Sequence, residues 1–172
     1  LHLGPVWTVF GAALLAIGLS RRVVDLRWHA FALLALGTLR AGRPVFSQPD
    51  ASAGAIAWLC LCIAVVYICS LITTRSYRSA IAAGEPRPTE DVAGNLLSAG
   101  ATALLALLIV QEVRDSMVTL ALGVHGLGLM VTGLLARERV MRLMGLALLG
   151  ACILKLFVVD LRELEALARI FD

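Results

Sequence analysis

Charge is scarce in this sequence. Asp, Glu, Lys and Arg make up 16% of its 172 residues against 60% hydrophobic residues, and the mean hydropathy is +0.90. So small a polar share cannot cover a globule in water, which excludes an ordinary soluble domain and calls for lipid as the solvent. Basic residues exceed acidic ones by only +3, and they sit singly or in twos and threes between apolar runs. That pattern excludes a nucleic-acid patch and reads as loop charge. The four cysteines, Cys60, Cys62 and Cys69 in one apolar run and Cys152 in another, form neither a disulfide framework nor a zinc pattern. No P-loop, HExxH, GxSxG or dinucleotide fingerprint occurs in a suitable context, so no catalytic residue is singled out and an enzyme is the less favoured class. A basic n-region and a cleavage site are also missing near Leu1, and no polar tail follows Phe171; the chain is expected to be part of a longer one.

What the sequence does hold is a series of long apolar runs. They predict an all-α polytopic bundle of about six transmembrane helices. Helix 1 covers Leu3 to Leu19, and helix 2 covers Val24 to Arg40 after the break at Ser20, Arg21 and Arg22, with Asp25 and Arg27 at the headgroups beside Trp28, giving a hairpin over 3–40. Pro44 and Pro49 end helix 2 in a loop over Ala41 to Asp50. Helix 3 is expected at 51–74, with helical continuation to Ala83, and helix 4 at 92–110 behind a cap at Thr89 or Asp91. Helices 5 and 6 form a second hairpin over 116–159. Residues 160–172 alternate Leu161, Leu164 and Leu167 with charged residues, as an amphipathic interfacial helix would.

An internal repeat links the two hairpins. Laying Val9 to Arg40 over Val124 to Lys155 without a gap pairs Gly11 with Gly126, Gly18 with Gly133, Arg22 with Arg137 and Arg27 with Arg142. About a third of the positions are identical. Four helices from the start of one hairpin to the start of the other imply a parallel repeat, with both in the same orientation. The loops after helices 1, 3 and 5 carry Arg21, Arg22, Arg27, Arg75, Arg78, Arg87, Arg137, Arg139 and Arg142, against Arg40, Arg43, Arg114, Lys155, Arg162 and Arg169 on the other side, so these loops are expected on the cytoplasmic side of a bacterial inner membrane.

Polar groups inside the apolar runs are the candidate site residues, because ionisable groups are expensive in lipid. His125, among Gly123, Gly126 and Gly128 in helix 5, is either a neutral imidazole bonded to a neighbouring helix or, through the Ala121 to His125 small-xxx-His spacing, a ligand for haem or chlorophyll. Its repeat counterpart is Phe10, so no second axial ligand follows. Asn95, Lys155 and Asp160 are the other intramembrane polar residues. Gly94, Ser98 and Thr102 recur at i, i+4 and i+8 as a packing stripe, and Gly126 and Gly133 are read as packing positions in the second hairpin.

The stretch Gly133 to Ile170 adds a resemblance. Its order of parts is a helix ending near Gly133, a basic turn at Arg137, Arg142 followed by Gly145 to Leu149, then Lys155 to Phe157, Asp160 and Leu161, and last an amphipathic stretch ending Ala168 to Ile170. In that order it resembles the C-terminal part of a family of large bacterial membrane proteins known only as domain of unknown function 2339. The resemblance implies a longer, many-helix protein and carries over no activity. The favoured function is a structural or scaffold subunit, with the lipid bilayer and other membrane subunits as partners and no nucleic acid. One alternative is part of a transporter or an envelope lipid or glycan handling protein, in which Asn95, His125, Lys155 and Glu112 would converge on one water-filled cavity. The other is a cofactor-binding subunit of a photosynthetic or respiratory complex.

Overall fold

The structure, a computed structural model, describes residues 3–47, 51–84, 88–113 and 115–157. Six α-helices account for nearly all of them: α1 Leu3–Ser20, α2 Val24–Ser47, α3 Ala53–Ala82, α4 Pro88–Glu112, α5 Asp115–Leu135 and α6 Arg139–Lys155. No strand occurs among the described residues. Four helical segments are long and apolar enough to cross a membrane, namely Leu3–Ser20, Ala53–Ala82, Val92–Glu112 and Met117–Leu135. The other two helices are the charged partners of the hairpins: α2 carries Asp25, Arg27, Arg40 and Arg43, and α6 has 17 residues with Arg139, Arg142 and Lys155. The amphipathic stretch 160–172 and the end of helix 6 at Val159 lie outside the described residues.

The chain divides into two compact units, one through Leu105 and one from Ala106. In the first, α1 lies along α2 through its buried face of Gly4, Thr8, Gly11, Leu15 and Gly18. The two backbones approach so closely that a Cβ on Gly37 would come within 2.7 Å of the Thr8 nitrogen. Lipid offers no hydrophobic drive to bring two apolar helices together, so it is this close packing that joins them. α3 packs against both, and its 30 residues start at an N-cap, where the Ser52 hydroxyl oxygen accepts the Ala55 N–H.

Two helix bounds differ from the sequence reading for related reasons. α2 does not stop at Arg40 but runs through Pro44 to Ser47, because its last turns bury Ala41, Gly42 and Val45. That burial outweighs the hydrogen bond that Pro44 cannot donate to the Arg40 carbonyl. α4 begins at Pro88, so Thr89 and Asp91 lie within the helix and not before it. Proline suits a first helical position, where its missing N–H would have had no partner.

The hairpin turns are one motif used twice. α1 ends with Arg22 at φ +56° and α5 with Arg137 at φ +57°, the left-handed residue of a helix-terminating turn. In the first hairpin the N–H of Val23 donates to the Gly18 carbonyl at 3.1 Å, and in the second that of Glu138 donates to Gly133 at 2.7 Å. Arg21 to Ile17 and Ala136 to Thr132 repeat the preceding bond at 2.8 Å each. Every one of these pairs keeps the offset found in the sequence repeat.

Candidate functional site

The polar residues of the membrane segments divide between the two units. In the second, Lys155 at the end of α6 reaches back to α5, where its Nζ donates to Thr119 Oγ1 at 3.2 Å. The Cys152 thiol, one turn earlier, lies 3.6 Å from the Thr119 carbonyl oxygen. Thr119 therefore receives both contacts, one on its side chain and one on its backbone, and ties the open ends of the hairpin together. Asp160 lies outside the described residues.

From its middle to its turn the same hairpin closes on glycine. A Cβ on Gly145 would lie 2.6 Å from the Gly126 carbonyl oxygen, and one on Gly133 would lie 2.9 Å from the Arg142 nitrogen. Gly126 thus lets α6 approach and makes no room for the neighbouring imidazole; the open positions are Gly123 and Gly128. His125 Nε2 is shut off from the surface and has no hydrogen-bond partner among the described residues. A haem or chlorophyll on this nitrogen would have to displace the atoms that cover it. Among the described residues no three His, Cys, Asp or Glu side chains stand together as a metal cluster would need.

In the first unit, Gly94, Ser98 and Thr102 lie on the side of α4 that meets α3. Ser70 Oγ donates to the Gly94 carbonyl at 2.9 Å, and Tyr67 OH pairs with Thr102 Oγ1 at 2.7 Å. Ser98 is 2% exposed, and its Oγ is a second buried polar atom without a partner among the described residues. Gly94 is less tightly held than the hairpin glycines, since an added Cβ would stand 3.6 Å from the nearest atom, on Thr73. Asn95 is half-buried beside this stripe. Glu112, at the far end of α4, is exposed.

Arg27 departs most from its sequence reading, which placed it at the headgroups beside Trp28. It is 2% exposed, and its Nε donates to the Gly18 carbonyl at 3.0 Å. Arg142, its repeat counterpart, is half-buried and turns to the Glu138 carbonyl at 3.2 Å. Sequence reasoning also missed Thr119, Tyr67 and Ser70. Each is a hydroxyl in an apolar run whose partner sits on another helix, and only the helix pairing brings the two together.

No curated protein and no solved structure matches this chain. The residues that do match a family are those of the second hairpin and the stretch after it: over residues 115–171 the chain is similar to the family described as Predicted membrane protein (DUF2339).

Proposed function

We propose that this membrane protein is a structural, helix-packing subunit of a larger assembly in the bacterial inner (cytoplasmic) membrane, with the loops after α1, α3 and α5 in the cytoplasm. One observation carries the reading: its intramembrane polar groups are largely satisfied within its helices or between them. Thr8, Thr38, Thr73 and Thr132 return their hydroxyls to carbonyls of their own helices, and Ser70, Tyr67 and Lys155 join one helix to another. Bulky apolar residues such as Phe10, Ile17, Leu120 and Val124 point outward, toward lipid or neighbouring subunits. Purification of the full chain in mild detergent, with cross-linking beforehand, tests this. Defined partners at fixed stoichiometry are expected, and a monomer without partners in the cross-linked membrane would overturn it.

A second reading, part of a protein that handles envelope lipid or glycan, draws on a single feature of the first unit. This is the cavity lined by Arg40 and Arg43.

A further inference from the structure

A cavity of about 480 Å³ opens where the first turn of α1, the last turns of α2 and the start of α3 meet. Arg40, Arg43, Ser47, Ser52 and Trp58 are among its lining residues, and among the described residues no carboxylate is. Arg40 and Arg43 stand at i and i+3 on α2, both exposed, so two like charges share one wall of the cavity. An anion relieves that repulsion. Guanidinium forks match phosphate oxygens two at a time, and the hydroxyls of Ser47 and Ser52 add donors at the same rim. Ser52 uses its oxygen to accept the Ala55 N–H, which leaves its hydroxyl proton to donate. The exposed indole of Trp58 sets the depth, since tryptophan favours the headgroup level of a bilayer.

Phosphate could come from a soluble anion or from a lipid headgroup, and the place of the cavity favours the lipid, since it opens where three apolar helices end beside Trp58, at headgroup level.

We propose that Arg40 and Arg43 hold the phosphate of a membrane phospholipid headgroup. Helix packing alone does not require such a site, and the proposal stands whether or not the scaffold reading holds. The test uses the full chain purified in detergent, with binding of phosphatidylglycerol, diacylglycerol and inorganic phosphate followed by native mass spectrometry. Wild-type protein should retain phosphatidylglycerol over diacylglycerol, and excess inorganic phosphate should not displace it. The pair Arg40→Gln and Arg43→Gln should weaken retention roughly tenfold, while Arg21→Gln with Arg75→Gln should leave it unchanged. Unchanged retention in the first pair, or an equal loss in the second, would overturn the site. Displacement by phosphate would assign the cavity to a soluble anion and overturn the lipid. If the Arg40 and Arg43 double variant does not fold, Arg43→Gln alone is compared with Arg21→Gln, and equal affinity again overturns the proposal.

Discussion

Arg27 and Gly18 are joined across the first hairpin by a hydrogen bond of 3.0 Å from Nε to the carbonyl oxygen, and that carbonyl also accepts the Val23 N–H that ends α1. One oxygen thus terminates a helix and fixes the helix packed beside it. Replacing Arg27 by Met keeps the stem that packs on Gly18 and removes the guanidinium. The variant should lose about 1.5–3 kcal/mol, the usual worth of a hydrogen bond to a charged group, measured as thermal stability in detergent. Arg142→Met should cost less, because Arg142 is only half-buried and bonds a carbonyl one turn away in its own helix.

Glycines on the two packing faces should respond oppositely to alanine. Gly145→Ala drives a methyl into the Gly126 carbonyl and the Met130 backbone, at 2.6 and 2.9 Å, and should destabilise the second hairpin by about 1–3 kcal/mol. Gly94→Ala has 3.6 Å of room and should be neutral or stabilising by up to about 1 kcal/mol through helix propensity. Unfolding of both variants in the same detergent checks the pair.

The left-handed arginines carry a backbone cost that glycine would not. Arg22→Gly and Arg137→Gly should each stabilise by up to about 1 kcal/mol after the loss of unfolded-state entropy is set against the relieved strain. Arg22→Ala should give no such gain, which separates backbone strain from the removal of charge.

Sidedness can be read by single cysteines on α3, in a background with the native cysteines replaced. Ala83→Cys, at the helix end beyond Arg75 and Arg78, should react with a membrane-impermeant thiol reagent only in inside-out vesicles. Ala51→Cys, before the N-cap, should react only in right-side-out cells. The reverse pattern would invert the proposed orientation.

The hairpins were legible because their turns are specified locally. Paired glycines and arginines at a constant offset fix both where each helix ends and what it packs on. Pro44 misled for the opposite reason: what keeps α2 helical through it is contact with other helices, which no window of local sequence displays. The same misplacement put Arg43 in a loop and so hid the cationic cavity. Asn95 and Lys155 stand out in the sequence simply as polar residues in apolar runs, and His125 also by its spacing from Ala121. Their surroundings could not be read in advance, since the partner of Lys155 is a threonine 36 positions away.

The length of α3 has a consequence for the membrane itself. At about 1.5 Å per residue its 30 residues extend roughly 45 Å, beyond a hydrocarbon layer of about 30 Å. The surplus is taken up by leaning or by standing clear of the headgroups, and the balance shifts with bilayer thickness. Tyr67 and Ser70 couple α3 to α4, so a thinner or thicker membrane would reorient the two as a pair.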